Sequence, residues 1–377
     1  MEFPSVSKRS IDKCCQDDNL LSCREVKIHT ENFLKDEIKF HGKTLQFSNE
    51  SPPYGRDYKD DEGDEVSISY NKISGSFFAN FDSVDGKIYE VEKCHNSHVF
   101  KEIDVKNLKP AMPKLVPNVR AHMQKRNAEV ADNSTIVTYS MMFYYTKEFA
   151  EVTADVEGFI DYSVELTNQA YINSKIPVRI KKFCSEEATL SEQNGDAFSL
   201  SKFRLMKGSS TATRNTADMA TLFVKGPAYM IINERKFYYC GVAWLVEANP
   251  DLSFSTNVKG CIGGYTFAHE IGHNFGCHHD QYQASLKASE VNPYYKYGYG
   301  HHIQGGYRTI LAYNRPGFSR RVNYHSNPDV KLPQTGTPTG ITGESNNAAV
   351  FIRNRFAMAD NGDESAVCGG RFSSGCN

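Results

Sequence analysis

Residues 266–280 read Thr-Phe-Ala-His-Glu-Ile-Gly-His-Asn-Phe-Gly-Cys-His-His-Asp, and this stretch decides how the chain must fold around it. His269 and His273 are four residues apart, so on a helix both imidazoles project from one face and can bind one divalent cation. Glu270 lies about 100° further round the helix. From there its carboxylate reaches a water molecule on the metal more easily than the metal itself, so the spacing predicts a general base.

Gly276 predicts the end of this helix, because glycine adopts the left-handed conformation without a Cβ clash. The chain can then reverse and present His279 as a third nitrogen ligand. Three neutral imidazoles leave a fourth tetrahedral position for water, which is the open arrangement of a catalytic zinc site. Nitrogen donors also favour zinc over magnesium or calcium.

A zinc ion bound in this way can lower the pKa of its water to about 7. Glu270 can take the proton as that water attacks a carbonyl polarised by the metal, and can then pass it to the leaving amine. The pattern therefore predicts hydrolysis of peptide bonds in protein substrates without a covalent intermediate.

The motif His-Glu-x-x-His-x-x-Gly-x-x-His-Asp at 269–280 resembles the zinc-binding motif of the metzincins, and its terminal Asp280 resembles the adamalysin (reprolysin) type. Residues 217–219, 240–245 and 346–348 also resemble stretches of that family, so the resemblance covers roughly residues 134–360. It implies a zinc endopeptidase with an α+β, metzincin-like catalytic domain: a twisted mixed sheet with packed helices, an active-site helix and a small lower subdomain. It also implies that the strand around 241–245 is the sheet edge to which an extended substrate adds.

The turn that lies under the zinc in this family corresponds to residues 308–313, with Leu311 in place of a methionine. Leu and Met have similar volumes, and such exchanges usually lower the free energy of unfolding by less than about 1.5 kcal/mol. We therefore expect the turn under the zinc to keep its structure with Leu311. Tyr313 resembles the tyrosine that reaches the metal in astacin-like relatives. It is either a fifth ligand or oxyanion donor, or an ordinary buried aromatic residue. Residues 323–329 resemble the segment that walls the primed-side pocket.

The other histidines and the cysteine near the motif have structural interpretations. We expect His278 to point away from the metal and Cys277 to be a disulfide partner rather than a zinc ligand. The histidines further along the chain are interpreted as rim or packing residues: His301, His302 and His325.

The sequence around the motif alternates between strand and helix patterns. Residues 135–145 are rich in β-branched and aromatic residues and predict a strand, and apolar residues at three- and four-residue spacing predict one long helix from 149 to about 173. Further strands are predicted at 176–183, 217–224, 228–233 and 242–246, and a closing helix at 348–358. Strand, helix, strand order implies a mixed sheet with helices packed on it.

Residues 24–107 contain short alternating runs separated by turn residues, which predict a mostly β region. Prolines interrupt the next stretch, and we interpret the residues from about 108 as an exposed linker. Its dibasic pair Lys125-Arg126 is either a site for a processing protease or two solvated charges. The chain is therefore divided into a prodomain-like region, 1–126, and a zinc metalloprotease catalytic domain, 127–377.

The N-terminal region resembles the prodomain of adamalysin relatives, which implies a zymogen. Such prodomains can silence the enzyme with a cysteine thiolate on the zinc. Cys94 lacks the usual flanking motif and lies well before the linker, so we favour a disulfide or a free thiol there. Steric coverage of the cleft is then a sufficient mechanism of latency.

Composition limits the partners and the compartment. The chain has 377 residues and a formal charge of -2, so it lacks a basic nucleic-acid footprint. No run approaches the roughly 18 apolar residues of a membrane span. The 10 cysteines are dispersed and favour disulfides. We therefore expect a secreted protein whose signal peptide is not in this chain, with protein or peptide substrates as partners.

Two other classes of protein fit parts of the sequence. One is a non-catalytic adhesion or toxin-like binding module that keeps the zinc for folding, but a purely structural site has no need of Glu270. The other is a cytosolic metallopeptidase, which free thiols would support.

Overall fold

The computed structural model describes most of the chain outside the linker. The described residues are 14–15, 20–26, 28, 35, 37–40, 43–51, 55–62, 64–71, 75–83, 87–94, 97–103, 134–193, 195–232, 235–285, 296–318, 320–360 and 362. The predicted linker up to residue 133 and its dibasic pair Lys125-Arg126 lie outside the described residues.

The N-terminal region forms an antiparallel sheet, in agreement with its short alternating runs. Its strands are β1 (Leu20–Val26), β2 (Glu37–Phe40), β3 (Lys43–Ser51), β4 (Gly55–Lys59), β5 (Glu65–Asn71), β6 (Ser76–Asp82), β7 (Ile88–Cys94) and β8 (Ser97–Ile103). They lie in the order β1-β8-β7-β6-β5-β4-β3-β2, and every neighbouring pair is antiparallel.

Alternation along the strands gives this sheet two different faces. On β6, Phe77, Ala79 and Phe81 join a hydrophobic core that belongs to the N-terminal region itself. Phe78, which lies between them, points to the opposite face and packs in the core of the C-terminal region. The sheet is therefore covered on both faces here: one face packs in the region's own core and the other in the core of the C-terminal region.

The C-terminal region alternates strands and helices. Its elements are β9 (Val137–Tyr145), α1 (Lys147–Glu151), α2 (Val156–Asn173), β10 (Val178–Glu187), α3 (Leu200–Arg204), α4 (Ser210–Arg214), β11 (Met219–Val224), β12 (Ala228–Ile232), β13 (Arg235–Tyr239), β14 (Gly241–Ala243), β15 (Phe254–Val258), α5 (Thr266–Phe275), α6 (Gln281–Ser285), β16 (His302–Ile303), β17 (Tyr307–Arg308), β18 (Arg320–Arg321) and α7 (Asn347–Ala359).

The central sheet of this region has the order β10-β9-β11-β15-β14. Its first four strands are parallel, and β14 pairs antiparallel with β15 at the edge. The mixed α+β fold is thus confirmed, and the strand predicted at 242–246 is observed as the shorter edge strand β14, Gly241–Ala243. A small sheet of β16, β17 and β18 and the closing helix α7 complete the region. Among the described helices, none is both long and apolar enough to cross a membrane.

The single helix predicted from 149 to about 173 is two helices. Thr146 caps α1 by accepting the N–H of Phe149, and Asp155 caps α2 by accepting the N–H of Gly158. The prediction was wrong about continuity because the apolar spacing continues across the break, whereas the polar caps begin a new helix.

Disulfides join cysteines that are far apart in the sequence as well as near neighbours. The described pairs are Cys14–Cys94, Cys15–Cys23 and Cys240–Cys261, and Cys184 is also disulfide-bonded. Of the two alternatives expected for Cys94, a disulfide or a free thiol, the disulfide is present, so this cysteine has no thiolate to offer a metal.

The two regions meet along α2 and the residues just before α5. The Phe78 ring stacks on that of Tyr162 with centroids 5.6 Å apart. The Tyr162 hydroxyl donates to Glu90 at 2.8 Å, and the Tyr265 hydroxyl donates to Asp82 at 2.8 Å. Burial raises the pKa of Asp82 to about 8 and that of Glu90 to about 7. The interface therefore contains two acids that favour their protonated forms.

This arrangement makes the stability of the interface depend on pH. The pKa of Asp82 rises from 3.8 to about 8 and that of Glu90 from 4.5 to about 7, so the folded state binds more protons than the unfolded chain in this window. The two acids contribute fully to stability below their ordinary pKa values of 3.8 and 4.5. That contribution is lost as the pH rises through their folded-state pKa values of about 8 and about 7. We expect a double variant, Asp82→Asn with Glu90→Gln, to lose less unfolding free energy than the wild type between about pH 6 and about pH 8.5. Urea denaturation across this range measures the difference, and equal losses in the two proteins would contradict it.

Candidate metal centre

Helix α5 carries two of the predicted ligands and ends where the sequence predicts. Gly276 has a φ of 103°, in the left-handed region. Its N–H donates to the carbonyl of His273 at 3.0 Å, and the next N–H, of Cys277, donates to the carbonyl of Gly272 at 2.9 Å. These bonds satisfy carbonyls at the helix end and reverse the chain, which brings His279 beside the helix.

The three predicted ligands converge on one point. The Nε2 atoms of His269, His273 and His279 form a triangle whose sides are all 3.1 Å. Nδ1 of His269 donates to the carbonyl of Ile310 at 2.8 Å, and Nδ1 of His273 donates to that of Cys277 at 2.8 Å. In these two rings Nε2 therefore carries a lone pair. Two lone pairs cannot hydrogen-bond each other, whereas a cation between the rings is attracted to both.

The dimensions and protonation of this triangle suit a zinc ion. Tetrahedral zinc with nitrogen ligands at about 2.0–2.1 Å places those nitrogens about 3.3 Å apart. The measured separation is 3.1 Å. Burial lowers the pKa of His269 and His279 well below the usual value and lowers that of His273 to about 3. The rings are therefore neutral, which is the state in which imidazole binds a metal.

Glu270 lies on the same helix with its side chain fully buried. Neither of its carboxylate oxygens has a hydrogen-bond partner. Burial raises its pKa well above the usual value, and the Arg321 guanidinium opposes that rise. A Cβ added to Gly241 on β14 would lie 2.5 Å from Oε1 of Glu270. The carboxylate thus lies against the backbone of the edge strand, and a side chain at position 241 would displace it.

The stretch 308–313 lies against α5, as the resemblance implies. Leu311 is fully buried, and a Cβ added to Gly272 would lie 3.0 Å from its Cδ2 atom. The preceding residue, Ile310, supplies the carbonyl that orients His269. This turn therefore supports the helix through Leu311 and fixes one imidazole through its backbone.

Tyr313 lies next to the third imidazole. Its ring centroid is 4.0 Å from that of His279, and its N–H donates to Oδ2 of Asp280 at 3.0 Å. Asp280 also accepts the N–H of Gln283 at 3.1 Å. The terminal aspartate of the motif therefore ties the loop that carries His279 to the turn that carries Tyr313.

The expectation for Cys277 was wrong. Its thiol is free and buried, and Sγ lies 3.7 Å from the carbonyl oxygen of Asn347. The start of α7, rather than a second cysteine, packs against it. Cys277 was predicted to be a disulfide partner, but an even number of cysteines in the chain does not determine which of them meet in space.

The remaining histidines near the motif and further along the chain do not join the triangle. His278 is not among the histidines whose nitrogens converge. His302 donates through Nε2 to the carbonyl of Tyr313 at 2.9 Å, and Nδ1 of His301 lies 3.1 Å from Oγ of Ser345. His325 is fully buried among aromatic rings. These positions agree with rim and packing roles.

Two arginines that the sequence does not single out are buried beside the triangle. Nη1 of Arg321 donates to the carbonyl of Gly264 at 2.7 Å, and Nη2 lies 3.1 Å from Nδ1 of His269. Arg308 is the Cα partner of Arg321 on the neighbouring strand. No motif distinguishes these residues from Arg320, which directly precedes Arg321. Only the tertiary fold decides which arginine is buried.

A buried carboxylate without a partner beside three converging imidazoles is the arrangement of a metal-dependent peptidase. Comparison with known proteins gives the same class. Residues 136–326, just over half of the chain, match the metallo-peptidase family M12. The chain belongs to this family and is a metalloendopeptidase.

The chain is similar to several proteins named peptidyl-Asp metalloendopeptidase. The protein from Stenotrophomonas maltophilia strain K279a is 28% identical over 321 residues, which cover 80% of this chain and 71% of the relative. The protein from Xanthomonas campestris pv. campestris is 26% identical over 289 residues, which cover 73% of this chain and 65% of the relative. The crystal structure of metalloproteinase-II from Bacteroides fragilis is 11% identical, with a TM-score of 0.33 over 72% of this chain and 82% of that chain.

The contact between Leu311 and α5 predicts how substitutions of Leu311 affect stability. Leu311→Ala should lower the free energy of unfolding by about 2–5 kcal/mol, because it leaves a cavity under the helix. Leu311→Met nearly conserves volume and should cost less than about 1.5 kcal/mol. Urea denaturation of both variants measures the costs. If the methionine variant were as unstable as the alanine variant, side-chain volume at position 311 would not be what supports α5.

Proposed function

We propose that His269, His273 and His279 hold the catalytic zinc of this endopeptidase and that Glu270 is its general base. The observation that carries the proposal is the convergence of three Nε2 atoms, 3.1 Å apart, beside the helix that also carries a buried carboxylate without a partner. A non-catalytic binding module would gain nothing from that carboxylate, because burying it without a partner is unfavourable.

Zinc, when bound, polarises the substrate carbonyl and makes a water molecule more acidic. Glu270 accepts the proton as the water attacks and delivers it to the nitrogen of the leaving amine. Its burial suits this role, because a raised pKa makes the carboxylate a stronger base. Tyr313 is the proposed donor to the developing oxyanion or a fifth ligand, since its ring lies beside that of His279.

We propose that the substrate binds as an added strand on β14. In the described sheet this strand pairs only with β15, so its other edge offers backbone N–H and C=O groups to an extended peptide. The contact between Gly241 and Glu270 places this edge next to the proposed base. A peptide bound there would pass its backbone across the site.

The relatives are named for peptidyl-Asp substrates. We propose the same substrate class for this chain, namely peptides with an acidic residue at the cleaved bond. The buried guanidinium of Arg321 supports this proposal, because it places positive charge next to His269.

We also propose that the protein is secreted as a zymogen with residues 1–126 as its prodomain and cleavage at Lys125-Arg126. The disulfides support an oxidising compartment. Since Cys94 is paired with Cys14, latency would come from steric coverage and not from a cysteine thiolate.

The role of Glu270 has a direct test. Glu270→Gln keeps the shape of the side chain but removes the base, so proteolysis should fall by about 10²- to 10⁴-fold. Bound zinc should equal that of the wild type, whereas His279→Ala should lose it. Cleavage of an unfolded protein substrate and elemental analysis measure the two properties. Full activity in the Glu270→Gln variant would remove the proposed base.

The room that Gly241 leaves for Glu270 gives a second test. In Gly241→Ala the added methyl would lie 2.5 Å from Oε1, so the carboxylate must move. A displacement of this size should lower kcat by about 100-fold, with zinc content and thermal stability near those of the wild type. Steady-state kinetics on one peptide substrate measures the effect, and an unchanged kcat would show that Glu270 does not act from this position.

A further inference from the structure

Helix α5, which carries two of the proposed zinc ligands, begins at a residue in a strained conformation. Tyr265 precedes the first helical residue and has a φ of 64° and a ψ of 27°, in the left-handed region. A bulky side chain rarely adopts this conformation, because it costs free energy and persists only where neighbouring contacts fix it. Other parts of the protein must therefore hold Tyr265 in place.

One of these contacts comes from the N-terminal region. The Tyr265 side chain is buried, with 2% of the residue exposed, and its hydroxyl donates to Oδ2 of Asp82 at the end of β6 at 2.8 Å. Two residues earlier on the same strand, Nδ2 of Asn80 donates to the carbonyl of Gly263 at 3.2 Å. The N-terminal sheet therefore holds the chain where it enters α5.

The backbone of Tyr265 connects this contact to the metal centre. Its carbonyl accepts the N–H of His269 at 3.1 Å. The preceding carbonyl, of Gly264, accepts Nη1 of Arg321 at 2.7 Å, and Nη2 of the same guanidinium lies 3.1 Å from Nδ1 of His269. A rotation of the backbone at Tyr265 would therefore move His269 relative to His279, which lies on a separate loop. Contacts that orient metal ligands typically change metal affinity by about 10- to 100-fold.

A second tyrosine makes an equivalent hydrogen bond at the same interface without leading into α5. Tyr162 lies inside α2, is also 2% exposed, and donates from its hydroxyl to Glu90 at 2.8 Å. Because the two bonds have the same length and burial, loss of either should weaken the interface by a similar amount. Comparison of these two tyrosines separates an effect on the metal centre from an effect on the interface.

We propose that the hydrogen bond between Tyr265 and Asp82 couples the N-terminal region to the metal centre. By holding the strained start of α5, it raises the affinity of the three imidazoles for zinc. Tyr265 is a positioning residue, since it acts through His269. The inference rests on the proposed zinc site and adds a contact from outside the peptidase region.

The test measures zinc affinity in the full-length chain at neutral pH, by competition with a chromophoric chelator. Tyr265→Phe keeps the ring and removes the hydroxyl, so zinc should bind about 10-fold more weakly than to the wild type. Asp82→Ala removes the acceptor and should weaken zinc binding to the same extent. The double variant should be no weaker than either single variant, because both changes break one interaction.

Two further variants distinguish positioning from a general structural role. Asp82→Asn keeps a carbonyl oxygen that accepts the Tyr265 hydroxyl, so it should bind zinc within about 3-fold of the wild type. The matched control is Tyr162→Phe, which removes the other hydroxyl at the interface and should leave zinc affinity as it was. Circular dichroism confirms that each variant is folded.

The coupling would be overturned by a Tyr265→Phe variant that binds zinc as tightly as the wild type. Equal weakening in Tyr265→Phe and Tyr162→Phe would also overturn it, because zinc affinity would then follow the stability of the whole interface. If Tyr265→Phe does not fold, Asp82→Ala and Asp82→Asn decide, and equal zinc affinities in these two would refute the coupling. A wild type that binds no zinc would instead overturn the proposed metal centre, and the coupling with it.

Discussion

Three imidazole Nε2 atoms held 3.1 Å apart inside the protein are the constraint on which the rest of the site depends. Neutral rings at this separation gain nothing from one another, so other contacts must hold them in place until a cation binds. Backbone carbonyls do so from two separate segments, through Ile310 and Cys277. Leu311 supports the helix, and Asp280 fastens the loop to the turn. The geometry of the motif therefore depends on distant parts of the chain.

The polar groups at the site differ from buried polar groups that serve the fold. Asp218, for example, is also buried, but one oxygen accepts the N–H of Ser140 at 2.7 Å and the other accepts that of Gly362 at 2.6 Å. Glu270 has no such partners, and Arg321 has few. A fold retains unfavourable groups of this kind where a ligand or a reaction makes use of them.

The N-terminal region contributes side chains to the hydrophobic core of the peptidase region as well as to its own. Because strand alternation sends Phe78 to the opposite face from Phe77, the sheet has its own core and also packs on α2. The hydrogen bonds of Tyr162 and Tyr265 cross the same boundary. Cutting the chain between the two regions would therefore leave them associated until these contacts break.

The sequence alone predicted that three histidines converge, that the helix ends at Gly276 and that the fold is mixed, because these features depend on spacing within one or two turns and on local conformational preference. Apolar spacing could not locate the break between α1 and α2, since it continues across residues whose polar caps start a new helix. Only the tertiary structure decided that Cys277 is free and that Arg321, rather than Arg320, is buried beside His269. Burial and pairing arise between segments far apart in the chain, and no local pattern records which segments will meet.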